Sequence, residues 1–306
     1  MEWRDAPRKL RVHRRRIEHA YEQVRVLAGP DAAEALEAFR NELDRNWPIQ
    51  QQAVVGRDLL STALVDSLTP RQLDHAAGVA VGSCYDPGNT HVGGDFYDVI
   101  SLSDTEVALT LGDVCGKGAH AAATALMARH TLRTATYLGH SPSAALRVAH
   151  DLLLADGRDE AEPKFCTAAA AHAYLAEDGA VMHLALAGHP PPLVLKTDGS
   201  VEQVGKAGTA LGLFESLETS EVTVELAAGE VFLAYSDGVT EARNGDDIFG
   251  EERLMDVFAT CRGMSAQDLV DCIHHAVLDF RSGEGHDDVT LLALAHRPAG
   301  FVTLGE

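Results

Sequence analysis

The chain has 306 residues, 46% of them hydrophobic, and its 46 acidic residues outweigh 25 basic ones for a formal net charge of -21. That length holds one large domain or two ordinary ones, and the apolar share supplies a sizeable core and excludes wholesale disorder. The acidic balance argues against nucleic acid as the main partner, because phosphate contacts need Lys and Arg, and five scattered cysteines with no Cys-x-x-Cys pair suggest neither a disulfide framework nor a zinc site.

Residues 1–70 read as helical. Ala32, Leu36, Phe39 and Leu43 recur at helical spacing, and so do Ile49, Ala53, Gly56, Leu60, Leu64 and Leu68. Trp47-Pro48 separates the two runs, since the residue before proline avoids helix. The preceding stretch, Leu10 to Leu27, is weaker and strongly basic, with Arg8, Lys9, Arg11, Arg14, Arg15 and Arg16 at its start. It reads as a solvated face or as a docking surface for acidic groups. No apolar run approaches the length of a membrane-spanning helix and no apolar signal core follows the charged N-terminus, so a cytoplasmic protein is expected.

The pattern changes near Pro70. Short β-like runs follow: 78–85, 96–102, 106–112, 165–175, 181–187, 192–196, 221–226, 231–235 and 289–295. Helical spacing marks 119–138, 143–154, 252–260 and 266–280, and the charged stretch 156–164 reads as a loop. Strands cluster, then helices, then strands again, which predicts an α+β fold with antiparallel sheets rather than regular βαβ alternation. The expected division is 1–70 as a helical N-terminal region, 71–297 as the main domain and 298–306 as a tail.

Four aspartates stand in glycine-rich or acidic turns beside strand-like runs. They are Asp95 in Gly93-Gly94-Asp95-Phe96-Tyr97-Asp98, Asp113 in Gly112-Asp113-Val114-Cys115-Gly116-Lys117-Gly118, Asp237 in Tyr235-Ser236-Asp237-Gly238-Val239, and Asp287 in His286-Asp287-Asp288-Val289-Thr290. Each motif alone reads equally as a turn, a helix cap or a solvated strand entrance. Together they place carboxylates where distant strands can converge. Packed carboxylates repel unless a cation sits among them, and hard oxygen ligands select Mg²⁺, Mn²⁺ or Ca²⁺. Gly116-Lys117-Gly118 lacks the P-loop spacing, and neither a Gly-x-Ser-x-Gly elbow nor a His-Glu-x-x-His zinc pattern occurs. A metal-dependent enzyme acting on a phosphate is the reading these residues support.

Taken in order, these motifs, with Phe165-Cys166-Thr167, Ala187-Gly188-His189-Pro190-Pro191, Leu211-Gly212, Phe249-Gly250 and Asp287-Asp288-Val289-Thr290, resemble the PPM family of metal-dependent protein phosphatases in its bacterial SpoIIE/RsbU-like branch. The agreement covers roughly 75–296. The resemblance implies an αββα sandwich of two antiparallel sheets flanked by helices, with a metal site at one edge. It implies that Asp95, Asp113, Asp237, Asp287 and the backbone carbonyl of Val114 hold two Mn²⁺ or Mg²⁺ ions, with Asp288 behind them. The implied reaction is hydrolysis of a phosphoserine or phosphothreonine by metal-activated hydroxide. Cys115 falls where the eukaryotic branch places a general-acid histidine, so leaving-group protonation is left to water or another group; His189 reads as a backbone anchor as readily as a proton donor. The implied substrate is a phosphorylated STAS-domain anti-sigma factor antagonist in a partner-switching pathway, with an upstream activator protein as input. The N-terminal helices are expected to pair two chains into a homodimer and set activity, or else to pack on their own domain. The rival reading is a catalytically silent phosphoprotein-binding regulator of the same fold.

Overall fold

The computed structural model describes residues 68, 79–88, 93–157, 164–282 and 287–296. Of the helical region expected over 1–70 only Leu68 is described; the rest of it, the dimer expected through it and the tail 298–306 lie outside the described residues. Two five-stranded antiparallel sheets lie at the centre. The first takes the order β1 (Val79–Asp86), β12 (Val289–His296), β9 (Val231–Tyr235), β6 (Leu193–Leu195), β7 (Val201–Gln203). The second runs β2 (Asp95–Ser103), β3 (Glu106–Val114), β4 (Cys166–Ala176), β5 (Gly179–Ala187), β8 (Glu221–Ala227). Four longer helices cover them: α1 (Ala119–Tyr137), α2 (Pro142–Gly157), α4 (Gly250–Thr260) and α5 (Ala266–Phe280). The α+β sandwich expected from the strand and helix clusters is the fold observed.

Strand alternation builds three apolar layers. Along β3, Val107, Leu109 and Leu111 face the first sheet and meet Phe232, Leu292 and Leu294 in the central layer. Along β4 and β5, Ala168, Ala170, Ala185 and Ala187 face outward onto α1 and α2. Small residues on that face let Leu126, Leu132, Leu146 and Leu153 of the helices approach closely. Leu68 is 0% exposed in this outer layer. The third layer sets Leu269, Val270, Ile273 and Val277 of α5 against Leu291 and Ala293 of β12. The helix α5 starts where its sequence says: Ser265 accepts the Asp268 N–H at 3.1 Å, and its hydroxyl donates back to the Asp268 carboxylate at 2.7 Å.

A buried ion network fastens α1 to β2. Asp98 is 0% exposed and accepts from Arg133 at 2.8 and 2.9 Å and from Arg129 at 3.1 Å. Arg129 Nε also donates to the Tyr97 carbonyl at 3.1 Å.

The departures from expectation are short elements. The strand β7, the hairpin of β10 (Arg243–Asn244) and β11 (Asp247–Ile248), and the single turn α3 (Asp237–Thr240) are too brief to carry a period. Asp156 and Gly157, expected in a loop, finish α2.

Candidate metal centre

The β2–β3 register sets Asp95 directly opposite Asp113 at one edge of the second sheet. From the first sheet, β9 ends just before Asp237, which opens α3, and β12 begins just after Asp287 and Asp288. All four acids predicted from the sequence therefore come to one edge of the sandwich, two from each sheet.

Two glycines make the close approach feasible. A Cβ on Gly93 would lie 1.7 Å from an Asp288 carboxylate oxygen, and one on Gly94 would lie 2.4 Å from the Val114 carbonyl and 3.3 Å from Asp113 Oδ1. The Gly94 N–H donates to Asp288 Oδ2 at 2.7 Å, so Asp288 holds the turn that presents Asp95. Asp95 is 1% exposed and accepts the Thr290 hydroxyl at 2.6 Å. The Thr290 N–H donates to Ser236 Oγ at 2.9 Å, joining β12 to the turn that carries Asp237.

Burial and mutual repulsion act on these acids together. Desolvation, then the charge of Asp113, raises the Asp95 carboxyl well above the usual range. Desolvation and the Asp237 charge push Asp113 up to about 7, even though a hydrogen bond shared with Asp95 opposes the shift. Desolvation pushes Asp288 up to about 6 against its bond from Gly94, and it also raises Asp237. Lys117 pairs with Asp287 at 2.7 Å, with both side chains about half exposed. Among the described residues no three His, Cys, Asp or Glu side chains stand close enough to form a finished metal cage. Asp95 meets Asp113 across the strands, while Asp287 pairs with Lys117. The donor set nevertheless suits a hard cation. It consists of oxygens alone, and burial keeps three of its carboxyls from ionising at their ordinary pH.

The residues that sequence reasoning gave no part are the supports. Thr290, Ser236 and Lys117 lie inside the quoted motifs, but only the fold shows what they touch. Tyr85 lay outside every motif, and its hydroxyl accepts the Gly93 N–H at 3.3 Å. His189 is buried, bonded through Nδ1 to Thr167 Oγ1 at 2.8 Å, and desolvation lowers its pKa to about 3. It stays neutral and anchors Thr167, which pairs with Asp113 across β3 and β4. Cys115 is exposed.

A pH test follows from the raised carboxyls. A carboxyl whose folded pKa exceeds its unfolded value holds its proton better in the fold, so its contribution to stability is largest at low pH and is lost as pH climbs towards 7. A cation replaces the proton and cancels that loss. Mn²⁺ is expected to raise Tm more at about pH 8 than at about pH 5.5, where it must displace protons. Thermal melts with and without Mn²⁺ at both pH values check this; an equal rise at both would show that these carboxyls do not receive the ion.

Residues 103–297 match the family model described as Stage II sporulation protein E (SpoIIE). Asp95 lies upstream of that match and joins it through the register with Asp113. Protein IcfG of Synechocystis sp. is 26% identical over 238 residues, covering 70% of this chain and 37% of that protein. Phosphoserine phosphatase RsbU of Bacillus subtilis is 22% identical over 248 residues, covering 81% of this chain and 72% of that protein. The match thus spans little more than a third of IcfG. Among solved structures, the SiaA-PP2C domain of Pseudomonas aeruginosa gives a TM-score of 0.68 at 20% identity, covering 80% of this chain and 98% of that one. The catalytic domain of serine threonine protein phosphatase PstP, in complex with two manganese ions, gives 0.54 at 17% identity, covering 72% and 99%. Likeness at those identities establishes the fold. No described helix is long and apolar enough to cross a membrane.

Proposed function

The chain belongs to the SpoIIE family, and from that premise we propose that it is a metal-dependent serine/threonine protein phosphatase. The observation that carries the reading is the meeting of Asp95 and Asp113 from one sheet with Asp237 and Asp287 from the other at a single edge. These four acids and the Val114 carbonyl would hold Mn²⁺ or Mg²⁺; such ions supply Lewis acidity at the phosphoryl group and lower the pKa of water. The manganese ions in PstP, a protein of the same fold, support that assignment.

The chain's own groups prepare the site. Thr290 orients Asp95, and Asp288 holds the Gly93–Gly94 turn against it. Lys117 balances the Asp287 charge and, half exposed, can meet the dianionic phosphate of a substrate at the rim. His189 is buried and neutral, so it holds Thr167 rather than delivering a proton to the departing Ser or Thr oxygen. That proton is left to water or another group.

The name of RsbU, a phosphoserine phosphatase, supports a phosphoserine protein as substrate. The family resemblance points to a phosphorylated STAS-domain anti-sigma factor antagonist, with residues 1–70 pairing two chains and receiving an activator. The test is release of phosphate from such a phosphoprotein. Mn²⁺-dependent release is expected. Tight binding of the phosphoprotein with no release at any Mn²⁺ concentration would make this chain a silent binding regulator instead.

A further inference from the structure

We propose that a cavity at the opposite end of the second sheet recognises the guanidinium group of an arginine side chain on a protein partner. Strand registers set Glu106 of β3 beside Tyr174 of β4, and His172 of β4 opposite His183 of β5. Glu221 of β8 pairs with Ala185, one diagonal step from His183. Glu106 and Asp113 are the first and eighth residues of β3, so Glu106 lies roughly 24 Å from Asp113, while His172 is level with Ala108 and Glu221 with Thr110, nearer the acidic edge. The turn between α1 and α2 roofs it through Tyr137, His140 and Ser141, enclosing about 470 Å³. That is the size of a ligand pocket.

The polar groups in the cavity are held in place but not fully used. Glu221 Oε1 accepts from the Ser141 hydroxyl, the Ser143 hydroxyl and the Ser143 N–H. Glu221 Oε2 has no hydrogen bond among the described residues. His172 is only 6% exposed, lines the cavity, and makes no hydrogen bond among the described residues. Desolvation keeps its ring neutral, which leaves one nitrogen as an acceptor. Tyr174 stands edge-on to His183 at 5.6 Å, with its hydroxyl beside Glu106.

This arrangement selects the class of ligand. Two carboxylates call for a cation. Beside them stands His172, whose free acceptor nitrogen calls for a cation that also donates hydrogen bonds to several separated groups. Guanidinium does so, with five N–H donors in a plane that also stacks on tyrosine. The fold already uses that pairing next door, where Arg133 lies over the Tyr137 ring at 5.5 Å. Arg133 is turned to Asp98 at 2.8 Å, a carboxylate that it shares with Arg129. Tyr137 and Tyr174, 56% and 44% exposed, leave the cavity mouth open to a side chain arriving from outside.

The test needs no turnover and so stands or falls apart from the phosphatase reading. The full chain, with histidines isotopically labelled, is titrated at about pH 8 with acetyl-Ala-Arg-Ala-amide, with its citrulline counterpart, which keeps the shape and loses the charge, and with agmatine. Saturable shifts of the His172 and His183 signals with the arginine peptide are expected, with binding about tenfold weaker for the citrulline peptide and for Glu221→Gln. Glu106→Gln gives the same comparison if the Glu221 variant fails to fold. Equal shifts with both peptides, or none with either, would overturn the proposal. Shifts with agmatine alone would overturn the protein source of the guanidinium.

Discussion

Asp113→Ala is expected to lower Mn²⁺-dependent hydrolysis of a generic aryl phosphate by at least about 10³-fold, roughly 4 kcal/mol of barrier. Asp113 faces Asp95 across the strand register, and the charges of Asp237, Asp287 and Asp288 all act on it. Removing it withdraws one proposed ligand and the hydrogen-bond partner of Asp95. Loss of turnover with Tm retained in the absence of Mn²⁺ assigns the effect to chemistry. Deleting a raised carboxyl is expected to leave the metal-free fold as stable or more so, because burial of that charge works against it. Wild-type turnover in the variant would remove Asp113 from the site. Asp288→Asn gives a graded contrast. Its oxygen still accepts from Gly94, so a fall of about 10–100-fold is expected, the size typical of a residue that positions a ligand.

The largest effect on stability is expected away from the metal edge. Asp98→Ala leaves Arg129 and Arg133 without the buried carboxylate between them. Breaking one side of a buried ion network costs roughly 3–5 kcal/mol, because the charge left behind is uncompensated. For a chain of this size that is about 10 °C in Tm. Arg133 is partly exposed and can turn to water, whereas Arg129 is held by its Nε bond to the Tyr97 carbonyl. Thermal or urea unfolding measures the loss. A change under about 1 kcal/mol would show that water reaches the network and screens it.

Asp98 sits three residues after Asp95 in one short motif, and nothing in its spacing separates the two roles. The strand does. Asp95 is the residue paired with Asp113, while Asp98 pairs with Thr110 farther along β3 and turns to the face that α1 covers. The same limit applies to Asp287 and Asp288. Adjacent in sequence, one points to Lys117 and the other to the Gly94 N–H. Alternation within a strand sends neighbours to opposite faces, and only the packing says which face meets the site.

The sequence by itself determined the elements and the inventory. Apolar period marked nine of the strands and all four longer helices, because those signals are local. The glycine-flanked acids marked the candidate site residue by residue, because a carboxylate beside a tight turn is legible wherever the turn is. The tertiary structure alone decided which of these groups meet. Thr290 reaches Asp95 across 195 residues of chain, and Asp288 reaches Gly94 across 194. No period links positions so far apart; sheet order and register bring them together. The raised carboxyls of Asp95 and Asp113 and the neutral ring of His189 follow from burial, which exists only once both sheets and their helices have closed over the chain.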